Sequence, residues 1–435
     1  MTVRLPRRLR LVAVGVAAVV GLGGVVAVIR LSGRGKDAVE VRASGEAEPR
    51  TIDDPGPPPD PSSSSSSSST TAARPVTTTT RAPKPTTTTT TTTPACAPAA
   101  PVYVFGLARR PDGSGWAAGG NPALQHSTDA GLTWAAACLP ADIGPGPGAL
   151  HAVVFDAGGR HGWAVGNSGG HPVVFRSTDG GDHWTGGQVP GVSAGDLMDV
   201  EFPDAEHGWA VGLLPGDGPA NASGAVVLAT SDGGATWVAQ PVPAEVGRLT
   251  HASFVDAAHG WAVGVATSGQ PVLITTADGG ATWSSQPLPA GIRELRDVAF
   301  LDRQRGWAVG ALPIPLPVEP GNDDPGVVLT TSDGGTTWTQ QATTVGSLWS
   351  VQAIDPDTLF AGGGYGLFST HDGGATWAKQ PFALPALDAI SFTDANHGWV
   401  THSQFSTICR TDDGGRTWAP AAIRSGATPR ACTPA

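Results

Sequence analysis

Ser127-Thr128-Asp129-Ala130-Gly131-Leu132-Thr133-Trp134 is the stretch on which the fold turns, because the chain writes its pattern seven times. The later copies start at Ser177, Thr230, Thr276, Thr331, Thr370 and Thr411. Each reads Ser or Thr, any residue, Asp, any residue, Gly, two further residues, Trp. The aspartates are Asp129, Asp179, Asp232, Asp278, Asp333, Asp372 and Asp413, spaced 39 to 55 positions apart. The tryptophans are Trp134, Trp184, Trp237, Trp283, Trp338, Trp377 and Trp418. A recurrence in that range belongs to a repeat architecture, each copy being one supersecondary unit. The glycine accepts a positive φ that other residues resist. The Asp carboxylate can cap backbone N–H groups of its own turn. The Trp presents a large apolar face with one N–H that needs a partner.

Two further motifs accompany the turn. Gly162-Trp163-Ala164-Val165-Gly166 recurs from Gly208, Gly260 and Gly306, with degenerate copies at Gly115-Trp116, Leu359-Phe360 and Gly398-Trp399. Before it stands Leu-x-x-Val-x-Phe, at Leu150 to Phe155, Leu197 to Phe202 and Leu295 to Phe300, with weaker forms from Leu249, Leu348 and Leu387. The first repeat has Val102-Tyr103-Val104-Phe105 in that place. Short apolar runs bounded by Gly, Pro and Asp are strands, and no long stretch has helical period. Each repeat reads as four strands, A to D, with the Asp turn between C and D and the Trp opening D. Four strands in a repeat of this length make a propeller blade. The expected fold is all-β, a single seven-bladed propeller of four-stranded antiparallel blades over residues 101–424, with a tail at 425–435.

The N-terminal part has different physics. Leu11 to Ile29 is an uncharged, apolar run. As a helix it spans about 28 Å, close to a bilayer core. Arg4, Arg7, Arg8 and Arg10 precede it, which favours a cytoplasmic residue 1–10 segment and an extracytoplasmic remainder. A retained transmembrane signal anchor at 11–29 is the preferred reading, since no small-x-small cleavage site follows directly; a cleaved signal peptide is the alternative. Residues 30–100 hold an unbroken serine run, Ser62 to Ser69, and threonine runs broken by Pro75, Pro83, Pro85 and Pro94. Such a composition cannot bury enough apolar surface to fold. It reads as a disordered Ser/Thr/Pro stalk that holds a folded domain off the membrane.

Charge excludes one class of partner. Residues 1–100 carry 12 Lys/Arg against 7 Asp/Glu, whereas residues 101–435 carry 14 against 30. A domain that acidic repels phosphate backbones, so no nucleic-acid partner is expected. Cys96, Cys138, Cys409 and Cys432 flank the repeats and are disulfide candidates. Proximity favours Cys96–Cys138 with Cys409–Cys432; Cys96–Cys432 with Cys138–Cys409 would staple the ring shut. No CxxC or HxxxH spacing occurs, so no metal is expected, nor any cofactor.

The turns resemble the Asp box, or BNR repeat, of sialidases and related propellers. The sevenfold set with His-Gly-Trp-Ala-Val-Gly strands most resembles the photosystem II stability/assembly-factor-like propellers, over about residues 100–424. That resemblance implies a chaperone-like binding or assembly role for a protein partner; the expected protein is not an enzyme. The sialidase resemblance implies an arginine triad, a Tyr nucleophile paired with Glu, and an Asp acid/base. The propeller has only Tyr103 and Tyr365, no Arg-Ile-Pro segment before the first Asp box, and nothing that places Arg176, Arg248, Arg293 and Arg296 together. Xyloglucan-cleaving hydrolases with Asp boxes use two facing rings, and here there is one.

Strand order places the A–B turns and Asp turns on one face and the B–C and D–A loops on the other. The first face repeats, including His161, His207, His259 and His397, which read as turn residues. The second face varies, and binding residues concentrate on loops of a rigid scaffold. Its candidate partner-binding residues are Trp349, the one tryptophan outside the motifs, with Arg293 and Arg296, and Glu319, Asp323 and Asp324 of the long blade-5 loop. The expected protein is a monomeric, membrane-tethered extracytoplasmic scaffold for a protein or cell-surface glycan partner. The alternative is an extracellular glycan-active hydrolase, which requires paired carboxylates about 5–10 Å apart.

Overall fold

The structure is a computed structural model that describes residues 19–22, 25–28, 103–121, 123–140, 147–192, 194–215, 224–314, 325–341, 345–381, 386–402 and 407–423. The chain divides into two compact units, Met1–Thr88 and Thr89–Ala435.

In the first unit only eight residues are described, and they form strands where the sequence reading expects helix. Val19–Leu22 and Val25–Val28 form an antiparallel pair rather than helix, with Leu22 opposite Val25. The physical reason lies in composition. Five of these eight residues are β-branched valine, which loses rotamer freedom in a helix. Only Gly23-Gly24 separates the two strands, a favoured hairpin connection. Among the described residues no helix is long and apolar enough to cross a membrane. The Ser/Thr/Pro stretch lies outside the described residues.

The second unit contains seven four-stranded antiparallel blades. Strand A runs over Val104–Arg109, Gly148–Phe155, Asp196–Glu201, Val246–Phe254, Glu294–Phe300, Leu348–Ala353 and Ala389–Phe392. These seven strands line one central channel. Strand B carries the Gly-Trp motif, as in Gly208–Leu213, and strand C leads into the Asp turn, as in Ala225–Thr230. Strand D is shorter than the sequence implies. In blades 3 to 6 it comprises only the two residues after the Trp: Val238–Ala239, Ser284–Ser285, Thr339–Gln340 and Ala378–Lys379. In blades 3, 4 and 6 a proline follows within two residues (Pro241, Pro287, Pro381) and removes the next ladder donor.

The core is divided among the blade junctions. Each of seven hydrophobic clusters joins two neighbouring blades. The motifs that looked separate in sequence interlock there. The strand-B Trp163 of blade 2 stacks on Phe202, just after strand A of blade 3, with centroids 3.5 Å apart and planes 7° from parallel. Phe202 in turn meets the Asp-turn Trp237 edge-on, at 87°. The Trp163 indole N–H donates to the Gly233 carbonyl of that blade's Asp turn at 2.9 Å. Trp209 and Trp261 repeat the arrangement in the next two junctions. The turn glycine is forced by the same contact: Gly234 has φ +82°, and a Cβ there would lie 3.0 Å from the Trp163 ring nitrogen.

Within the turn the Asp caps its own backbone. In blade 3 Asp232 accepts hydrogen bonds from the Thr230 hydroxyl, the Thr236 N–H and the Thr236 hydroxyl, at 2.7 to 2.9 Å. The Gly234 N–H closes the turn onto the Thr230 oxygen at 2.9 Å. All seven copies keep this pattern, with His183 standing in for the distal Thr in blade 2. These bonds favour the ionised carboxylate. The Thr236 hydroxyl lowers Asp232 to about 2, the Thr376 hydroxyl lowers Asp372 to about 2, and the His183 N–H lowers Asp179 to about 2. A folded value below the unfolded one, ~3.9 for Asp, contributes stability that is present above pH ~4 and lost as pH falls. The protein is therefore expected to hold its full stability at pH 5 and to lose it progressively between about pH 4 and about pH 2. Urea midpoints followed by Trp fluorescence across that range check this, and a midpoint unchanged down to pH 2 refutes it.

Blade 7 meets blade 1 at a distinct seam. The end of the last strand, Ala419–Ile423, pairs in parallel with the outer strand of blade 1, Thr133–Ala136, through Ala422 opposite Thr133 and Ile423 opposite Trp134. The apolar cluster at this junction is the smallest described, with Val104, Ala117, Trp134, Trp399 and Ile408 buried. Cys138 and Cys409, on its two sides, are disulfide-bonded, and no described cysteine is free. Cys96, Cys432 and the connectivity lie outside the described residues.

Candidate docking site at the central channel

Each inner strand opens with a β-bulge in blades 1 to 6. The residue after the first apolar one is skipped by the ladder: Phe105, His151, Met198, Thr250, Arg296 and Trp349. Asp388 stands at that place in blade 7. A bulge re-aims a side chain at the rim of a barrel or ring. Seven different residues thus surround the end of the channel where the strands begin.

This rim has two characters. On the blade 1–3 side, Tyr103 is 43% exposed and stacks near Phe105, which packs against His151 at 5.4 Å. His151 Nε2 meets Asp196 at 3.1 Å. On the blade 5–6 side, the Arg296 guanidinium lies over the half-buried Trp349 ring at 5.6 Å. Glu294 pairs with Arg293 at 3.1 Å and with Arg296 at 3.2 Å. The structure therefore brings together Arg293, Arg296 and Trp349. Glu294, Arg296 and Trp349 belong to inner strands, and Arg293 immediately precedes one. Glu319, Asp323 and Asp324 lie outside the described residues.

Below the rim the channel holds a cavity of ≈ 310 Å³. Its wall carries Asp199, Glu201, His251 and Asp297, all on blades 3 to 5. The opposite wall is small and neutral, with Gly106, Ala152, Ser350 and Ala389 at the positions matching Asp199. Sequence inspection missed this group. The signal was there: charges at the third and fifth places of Leu-x-x-Val-x-Phe interrupt strands that are otherwise apolar.

Most of the polar groups on the wall are staples between blades. Asp199 accepts the Val200 N–H and, across the junction, the Ala252 N–H, both at 2.9 Å. Asp297 accepts the Val298 N–H at 2.7 Å and the Val351 N–H of blade 6 at 2.8 Å. One register step deeper, Ser253 accepts the Phe300 N–H, Gln352 the Phe392 N–H, and Ser391 the Arg109 N–H. Burial pushes the Asp199 carboxyl up, and nearby Asp297 adds to this, against His251 and the backbone donors. Burial also opposes charge on His251. The carboxylates of Asp297 and Asp199, with the Arg296 carbonyl that accepts its Nδ1–H at 2.7 Å, outweigh it and raise its pKa.

Glu201 differs. It occupies the same register place as Ser253, Gln352 and Ser391, yet makes no hydrogen bond among the described residues. The residue is half-buried and lines the cavity. Burial, then the charges of Asp199 and Asp297, hold it well above the usual carboxylate range. No described group of His, Cys, Asp and Glu forms a metal-ligand cluster.

On the opposite face, the histidines His161, His207, His259 and His397 bind the turn aspartates Asp156, Asp204, Asp256 and Asp394 at 2.8 to 3.0 Å. They complete A–B turns and point to no pocket of their own.

Seven interlocked blades, each closed by a self-capping Asp turn and opened by a bulged inner strand, define an Asp-box seven-bladed β-propeller. The chain resembles the photosystem II assembly-factor propellers: the family model described as photosynthesis system II assembly factor YCF48 matches residues 182–292. Among solved structures, YCF48 bound to D1 peptide aligns with a TM-score of 0.53 at 18% identity, over 72% of this chain and 95% of that one. YCF48 from Cyanidioschyzon merolae aligns with a TM-score of 0.50 at 16% identity, over 72% and 93%. At these identities the likeness is one of fold. No curated protein matches the chain in sequence.

Proposed function

We propose that the propeller is a docking scaffold whose bulged rim holds a segment of a protein partner, and that it is not an enzyme. One observation carries the reading. The Asp-turn face repeats one set of side chains around the ring, whereas the rim presents seven different ones, from Phe105 through Arg296 and Trp349 to Asp388. A surface that abandons its own repeat at a concave, partly aromatic site is where recognition is expected. The likeness to a propeller solved with a peptide bound supports a protein ligand. The channel carboxylates support a hydrolase poorly, since Asp199 and Asp297 each spend both oxygens on backbone N–H groups.

The same proposal includes a membrane tether at Leu11–Ile29, supported by the arginines before it and by its apolar length. In a bilayer an open two-stranded hairpin leaves its edge N–H and C=O groups unsatisfied, so a spanning form of this run must be helical. The test uses the full chain in cells, with a photo-crosslinking residue at Trp349 or Phe105 on the rim, or at Thr282 on the Asp-turn face. The expected result is a protein adduct from the rim positions, recovered from alkali-washed membranes. Adducts from Thr282 alone refute the docking face, and recovery in the wash refutes the tether.

A further inference from the structure

We infer that the channel beneath the rim seats a basic side chain, lysine or arginine, of the docked segment, with Glu201 as its counter-ion. The inference rests on the docking reading above and adds the chemistry of the segment.

The argument begins with a polar side chain that does no structural work. Four polar residues occupy the fifth place of the inner strand: Glu201, Ser253, Gln352 and Ser391. Three of them fasten their blade to the next through a backbone N–H. Glu201 fastens nothing, and blade 5 fills the same place with Ala299, so the fold accepts an apolar residue there. An enclosed carboxyl with no partner costs free energy. Enclosed, unpaired titratable groups facing a cavity are candidates for ligand contact.

The surroundings select the sign of the ligand. The titratable groups that line the cavity with Glu201 are Asp199 on its own strand, His251 on blade 4, Asp297 on blade 5, Asp388 on blade 7 and His151 on blade 2. Three of these five are carboxylates, no lysine or arginine lines the cavity, and His251 is already engaged by the Arg296 carbonyl. An added cation is attracted to every carboxylate there. The access route fits a long side chain. Phe105 and Met198 line the cavity near the rim and offer apolar surface to a methylene stem, while the charged end reaches the wall below. Phe105 and Tyr103 also present ring faces beside which a cation is stable.

Binding and protonation are coupled. Because Glu201 titrates above the ordinary carboxylate range, a proton competes with the ligand for it. A cation needs the ionised form, so affinity rises with pH through the titration of Glu201 and levels off above it.

The experiment takes the full-length chain and an array of 12-residue peptides. Each sequence is displayed with lysine, norleucine or glutamate at one central position. The expected result is that bound sequences are lysine forms, and that norleucine weakens them at least about tenfold, the scale of one desolvated charge pair. Glu201→Gln should reduce binding of the lysine forms to the norleucine level and abolish the rise in affinity with pH. Glu201→Ala, which copies blade 5, should do the same, and neither variant should lower the thermal midpoint. Peptides that bind equally with lysine and norleucine, and are released by Trp349→Ala, overturn this inference and leave the docking face standing. Lysine-dependent binding unchanged in Glu201→Gln also overturns it. An array on which no peptide binds overturns both readings.

Discussion

Trp163→Ala is expected to lower the unfolding free energy by about 4 kcal/mol, the range for truncating a fully buried aromatic. Trp163 is 1% exposed and packs across the junction with the neighbouring blade. Truncation removes the stacked contact with Phe202 and leaves a cavity at the blade 2–3 junction. It also leaves the Gly233 carbonyl without its indole donor. Trp163→Phe separates the two losses. It keeps most of the ring contact and forfeits the hydrogen bond, with an expected cost of about 1 kcal/mol. Urea unfolding of both variants checks the pair. If alanine costs no more than phenylalanine, the stack does not hold the blades together.

Asp297→Ala is expected to cost about 3 kcal/mol, although no cavity of comparable size is left. The reason is the pair of donors it abandons. The Val298 and Val351 N–H groups both point at this carboxylate, and the site is buried. Each buried donor left unsatisfied costs about 1–3 kcal/mol. Asp297→Asn should fall between, because its single amide oxygen can serve one donor while its NH₂ faces the other. Asp199→Ala should behave alike at the blade 3–4 junction, through Val200 and Ala252. Midpoints in urea at neutral pH decide the matter. A loss below about 1 kcal/mol for both alanine variants means that water replaces the carboxylates and that they do not fasten the ring.

These two results concern parts of the molecule that differ in how far they can be read from the sequence. Trp163 is conspicuous: it stands in a motif that recurs, and a recurring Trp after Gly marks a strand of a blade. What could not be read is its partner. Phe202 and Gly233 are 39 and 70 positions away, in another repeat, and meet Trp163 only because neighbouring blades stack. Asp297 is inconspicuous for the converse reason. It sits at a place that varies from blade to blade, with Asp199 and His251 in blades 3 and 4 but Gly106, Ala152, Ser350 and Ala389 in the rest, so no repeated motif draws attention to it. Its donor, Val351, is 54 positions away.

The N-terminal run reads differently by different measures. Hydropathy and length weigh Leu11 to Ile29 as a membrane helix, but those measures ignore β-branching and the Gly23-Gly24 pair. The described residues form a hairpin for that reason. Arg293, Arg296 and Trp349 were singled out from one stray tryptophan and a charge cluster. Their meeting depends on the bulge that turns Arg296 and Trp349 out of adjacent inner strands.

The sequence by itself determined the blade number, the strand order and the chemistry of the Asp turn, because each is a local property repeated seven times and a period survives in one dimension. Only the tertiary structure decided what lies on the axis. The channel wall takes three or four residues from each inner strand, and their adjacency exists only once the ring has brought those strands side by side. That closure turned Asp199 and Asp297 into staples and left Glu201 as a carboxyl with nothing in the fold to hold.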